Sequence, residues 1–207
     1  MSQNLLSIEI MEKYMETDPS ILLHNRIEFK IYTALYYLNQ IKDFQKDHAG
    51  IHNDMKSVHM EIAIDGFVAS LYGAIDSLFV LINDKLSLGL SLEQVNGNSV
   101  KKKLDAIGKA SLVVEWETAK QEGHWLNQLS EFRHQITHRD RLRRMREYDP
   151  LNNEAIQYIS NKQRKISLSP SDYMPFDMIK YFDENFENVQ RLIEDIRIRD
   201  QSLQLKK

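Results

Sequence analysis

The chain has 207 residues, with 27 Lys and Arg against 30 Asp and Glu and no cysteine. That length suits one domain whose core is large enough to fold without staples, and the missing thiols exclude disulfides, Cys-ligated zinc, iron–sulfur clusters and cysteine nucleophiles. A formal net charge of -3 gives the molecule as a whole no pull on nucleic acid.

At the amino end, "MSQNLLSIEIMEKYMETDPS" carries Glu9, Glu12 and Glu16 where a signal peptide would place a basic segment before an apolar one. No apolar run by eye approaches the roughly 20 residues of a membrane span. The expectation is a soluble, cytoplasmic protein without membrane contact.

Helical segments follow in chain order. After "TDPS", with Asp18 as N-cap and Pro19 at the first helical position, Ile27, Ile31, Ala34, Leu38, Ile41 and Gln45 recur at three and four residues and predict a helix ended by Gly50. A second helix is expected over about 57 to 86, where Phe67, Leu71, Ile75, Leu78 and Ile82 repeat and Phe79 and Leu81 widen the stripe. "LSLGLSLEQVNGNS" reads as a loop, with Asn98 or Ser99 capping a third segment from 99 to about 120 that bends near Gly108. Gly123 separates it from a helix over about 124 to 138. "AIQYISNKQRKISLSP" allows two short strands around "SNKQR", and a long last helix follows, with Pro175 in its first turn and Phe182, Phe186, Val189, Ile193 and Ile196 on one side. The expected fold is all-α: an up-and-down bundle of four to five helices over a core of about 20 to 200, with a small β-hairpin inserted at about 150 to 170.

In the helix over about 124 to 138, Trp125, Leu129, Phe132 and Ile136 step by four, three and four and mark a buried face. His134 and His138 lie about 160° and 200° from Ile136, opposite that face, and share a side because they are four apart. Arg133 sits on the flank, about 140° from His138. The two meet through the long arginine side chain, through a distorted helix end, or through a second copy of the chain packed about a two-fold axis. Polar groups opposite an apolar stripe are also what any surface helix has, so spacing alone decides nothing. Just beyond, "RDRLRRMR" places Arg139, Arg141, Arg143, Arg144 and Arg146 against one Asp within eight residues, a net +4 that suits phosphate backbones.

The run Arg133-His134-Gln135-Ile136-Thr137-His138 near the end of a long helix resembles the signature of the HEPN superfamily (higher eukaryotes and prokaryotes nucleotide-binding). The helix "FVASLYGAIDSLFVLIN", with Asp76 inside an apolar run and Asn83 at its end, is similar to the helix beside the motif in that family. The resemblance implies a metal-independent endoribonuclease acting as a homodimer with a composite site, in toxin–antitoxin or phage-defence settings, with no cofactor. Arg133 and His138 would be its catalytic pair and His134 a polar helper. Asp76 and Thr137 would support them, Asp76 by holding Arg133 or a histidine. RNA, including transfer RNA, is the implied substrate, and an antitoxin or activator an implied partner. Where toxins paired with a nucleotidyltransferase antitoxin often have a tyrosine, this chain has Asp140, so that partner is not inferred.

The residue types fit the chemistry. Cleavage by the 2′-OH needs a proton acceptor, a proton donor for the 5′-oxygen and positive charge on the transition state. Imidazole serves either proton role near neutral pH and guanidinium serves the phosphate. His138 is assigned to proton transfer, Arg133 to phosphate and transition state, and His134 to orientation or a second proton role. Two alternatives stand beside this. His134 and His138 form half of a metal site without further ligands at a recognisable spacing. The rival function is a non-catalytic helical adaptor or a nucleic-acid or nucleotide-binding module.

Overall fold

A computed structural model describes residues 19–46, 54–138, 144–149, 154–160 and 177–203. Among these, the chain forms α1 (Pro19–His24), α2 (Arg26–Lys46), α3 (Asp54–Lys85), α4 (Gly97–Ala106), α5 (Val114–Ala119), α6 (Trp125–His138), a hairpin of β1 (Arg144–Asp149) and β2 (Glu154–Ile159), and α7 (Met178–Arg199). The architecture is an all-α bundle with one small hairpin, as the apolar spacing predicts.

α3 is the central element because its apolar residues outnumber one stripe: Phe67, Leu71, Ile75, Leu78, Phe79 and Ile82 are all within 2% of full burial. It packs on α2, α4, α6 and α7. Between Ser57 and Lys85 it is long and apolar enough to cross a membrane, which inspection of the sequence did not suggest; half of that segment is buried in the protein, as in a core helix. α2 runs antiparallel to α3, since Lys30 lies beside Gly73, Tyr37 lies over Gly66 and Phe44 stacks on His59 at 6.0 Å. α7 closes the bundle against α2 through Lys42–Asp183 at 2.6 Å and Arg197–Glu28 at 2.8 Å, and against α3 through Phe67 and Phe182, whose rings are 4.9 Å apart.

Local chemistry moves several expected boundaries. The first predicted helix is two, because Asn25 leaves the helical path and its Oδ1 accepts from the Glu28 N–H, starting α2 afresh. Asp18 and Gly50 lie outside the described residues. The cap of α4 is Asn96, whose side chain accepts from the Ser99 N–H, rather than Asn98 or Ser99. The segment expected over 99 to 120 is broken after Ala106: Gly108 adopts φ +72°, a short 3-10 turn follows, and α5 begins at Val114. α7 starts at Met178 with Asp177 as its cap, so Pro175 precedes the helix instead of occupying its first turn.

The hairpin also differs. "AIQYIS" does supply a strand, β2, but its partner is Arg144–Asp149, in antiparallel register from Arg144 opposite Ile159 to Asp149 opposite Glu154. The end of the basic run is therefore extended chain rather than a helix end. The second strand expected after "SNKQR" lies outside the described residues. Ile159 is fully buried and attaches the hairpin to the core beside α2 and α7.

Candidate functional site

α6 is placed by its apolar side. Leu126, Leu129 and Phe132 are buried to within 1%, and Phe132 meets the Tyr181 ring of α7 edge-on at 5.4 Å. Burying a side chain of that size stabilises by roughly 1.5–3 kcal/mol, enough to set the helix's rotation. The buried face is turned slightly from the expected one. Trp125 and Ile136 are only partly buried, while Gln135, inside the motif, is 4% exposed. No partner for Gln135 Oε1 is found among the described residues.

This rotation carries Arg133 to the α3 side. Its guanidinium carbon stands 4.5 Å from the centre of the Tyr72 ring, and its Nη2 lies 3.5 Å from Asp76 Oδ2. Tyr72 and Asp76 are four residues apart on α3, hence on one face, and bracket the cation between a ring and a carboxylate. Both members of the ion pair are close to half exposed, 46% for Arg133 and 47% for Asp76. Partial burial raises the Asp76 carboxyl above its ordinary range, with the Arg133 charge acting in the opposite direction. Asp76 thus meets Arg133, one of the two partners expected for a carboxylate in an apolar run.

His134 and Thr137 are exposed on α6, and His138 is its last residue. His138 follows Arg133 by about 7.5 Å along the axis and about 140° around it, so one helix does not bring the pair onto a single face. Arg139, Arg141 and Arg143 lie outside the described residues. Arg144 and Arg146 alternate on one face of β1, opposite Ile159 and Gln157. Asn83, expected beside the motif, has a structural task instead: it exchanges two hydrogen bonds of 3.1 Å with the backbone of Leu90 and closes the loop after α3. Among the described residues no group of three or more His, Asp or Glu is placed to hold a metal ion.

Tyr72 was not singled out by the sequence, because an aromatic on an amphipathic helix reads as core. Its signal was its position, one turn before the only carboxylate in that apolar run. Chemically the arrangement offers a fixed, half-exposed cation that cannot serve as a base and whose charge is only partly neutralised. No family model, curated protein or solved structure matches this chain.

Proposed function

We propose that the chain is a metal-independent endoribonuclease of the HEPN type, cytoplasmic and acting as a homodimer on RNA. The observation that carries this reading is the Arg133 guanidinium, held half exposed by Tyr72 and Asp76 on the helix that ends in His138. In the reaction, the 2′-oxygen attacks the adjacent phosphorus while an imidazole takes its proton. The P–O5′ bond breaks as that oxygen gains a proton, leaving a 2′,3′-cyclic phosphate and a 5′-hydroxyl. His138 moves a proton, Arg133 binds the nonbridging oxygens, and His134 orients the ribose or supplies the second proton. The angular separation of Arg133 and His138 is the physical reason to invoke a second copy, which would set one chain's guanidinium against its partner's imidazole. The arginines from Arg139 to Arg146 would add affinity without sequence preference, falling steeply with salt. Toxin or phage-defence activity, transfer RNA as target and control by an antitoxin or activator belong to the same reading.

Incubating purified protein with RNA in excess chelator tests it. Cleavage leaving 5′-hydroxyl ends is expected, and His138→Ala or Arg133→Ala should lower the rate by about 100-fold or more. Cleavage that vanishes with chelator, or that survives both substitutions, overturns it. A second reading, a non-catalytic adaptor, is favoured by a different feature: Met55, Val58 and Ile62 are 61%, 48% and 55% exposed at helical spacing on α3. Wild-type protein that binds RNA or a protein partner but cuts nothing would select it.

A further inference from the structure

We propose that Tyr72 is a positioning residue for Arg133, fixing the plane of its guanidinium so that one edge faces the scissile phosphate. This rests on the ribonuclease reading above and adds a residue which that reading does not contain. The Asp76 contact alone cannot orient the group: at 3.5 Å it is longer than a good hydrogen bond, it involves one nitrogen, and both side chains are near half exposed. An arginine tethered so loosely can turn about its side-chain bonds. The Tyr72 ring removes that freedom, because a ring 4.5 Å below the guanidinium carbon favours one face of the planar cation.

The division of labour follows from the shape of guanidinium. A phosphate is recognised in plane, through two parallel N–H groups on one edge of the fork. Tyr72 occupies a face and Asp76 approaches Nη2, so ring and carboxylate take positions that leave another edge for the nonbridging oxygens. A ring suits this role better than a second carboxylate, since it attracts the cation without cancelling the charge needed on the transition state. Tyr72 is itself steadied, being partly buried and packed against the core. It is one helical turn from Asp76 on the rigid central helix, which sets ring and carboxylate at a fixed separation.

The test uses the full chain with labelled arginine side chains and two variants, Tyr72→Phe and Tyr72→Leu. In the wild type the Arg133 side-chain resonances should be displaced by the ring current and guanidinium rotation should be slow. Tyr72→Phe should keep both properties and stay within about two-fold of wild-type cleavage, whereas Tyr72→Leu should lose both and lower kcat about ten-fold with KM changed less than about two-fold. Rescue by phenylalanine separates positioning from a hydroxyl role, and a native-like amide spectrum of the leucine variant separates it from misfolding. Arg133 signals without ring-current displacement, or rotation equally slow in the leucine variant, overturn the positioning. An unchanged kcat in that variant overturns its role in the reaction. Should the wild type cleave no RNA, the ribonuclease reading fails with the catalytic half of this proposal, and the resonance measurements alone decide whether Tyr72 holds Arg133.

Discussion

Two arginine–carboxylate pairs tie helices together in this protein, and they are built for different ends. Arg197 and Glu28 join α7 to α2 at 2.8 Å with side chains 18% and 17% exposed, whereas Arg133 and Asp76 join α6 to α3 at 3.5 Å and are nearly half exposed. A pair largely removed from water must stay paired, because either partner left alone carries a desolvated charge. An exposed, longer pair contributes little to stability and is easily exchanged for another anion. The first is a clamp. The second leaves a cation in place that a phosphate can engage.

The clamp should be the costlier to break. Glu28→Gln is expected to lower unfolding free energy by about 2–3 kcal/mol, since it strands an arginine in a poorly hydrated seam. That arginine is already demanding: Nε and Nη2 of Arg197 are buried with no partner among the described residues. Denaturant titration measures the change. A loss below about 0.5 kcal/mol would mean the seam is held by Lys42–Asp183 and apolar contacts, and the contrast between the pairs would be one of distance only.

The same contrast runs along α3 where α2 crosses it. A Cβ on Gly66 would stand 2.4 Å from a Tyr37 ring atom, while one on Gly73 would meet only the Lys30 methylenes at 3.4 Å. Gly66→Ala must push an aromatic ring aside and should cost about 1–2 kcal/mol. Gly73→Ala displaces the end of a flexible chain and gains helix propensity, so it should fall between neutral and about 1 kcal/mol more stable. Thermal unfolding of the two variants compares them directly. Equal destabilisation would show that the helices are as tightly seated near the candidate site as at Gly66.

Asp76→Asn sharpens the comparison from the other side. Stability should change by no more than about 0.5 kcal/mol, because the pair is solvated. If RNA cleavage is the function, the rate should nevertheless fall about ten-fold through a less ordered Arg133. A stability loss matching that of Glu28→Gln would make Asp76–Arg133 a second clamp.

How much of this was legible depended on the kind of force involved. The stripes of α2, α3 and α7 could be read because burial repeats with the helical period, and Leu129 and Phe132 identified the inner side of α6. Its phase was misjudged because Trp125 and Leu126, and Gln135 and Ile136, are neighbours competing for one edge; volume favours Trp125 and apolarity Ile136, yet packing chose Leu126 and Gln135. The Asp76–Arg133 contact was half legible, since a carboxylate in an apolar run needs a partner but periodicity does not name it. Asn25 and Asn96 went unread as caps because polar residues in loops are common and only their hydrogen bonds mark them out. β1 was hidden by its own charge: "RMREYD" alternates as a strand does, but its two arginines drew it into the basic run.

The last and smallest expected effect is a titration. Burial holds the Asp76 carboxyl above its usual value of 3.8, and Arg133 opposes that shift. The folded protein therefore keeps this proton at a pH where the unfolded chain has lost it. Since the folded state binds more protons in that window, stability falls as pH rises from about 3.8 to the folded value, and the cost is fully present above it. Asp65 and Asp177 are raised by burial too, so Asp76→Asn should remove only part of the slope. Side-chain carboxyl resonances followed through acid pH should give Asp76 a midpoint above 3.8, and Arg133→Met should move it higher still by removing the one opposing charge. A midpoint at or below 3.8 would mean that Arg133 outweighs burial, as in a tight clamp. The two pairs would then be of one kind, and the readiness of Arg133 to accept a phosphate would lose its physical basis.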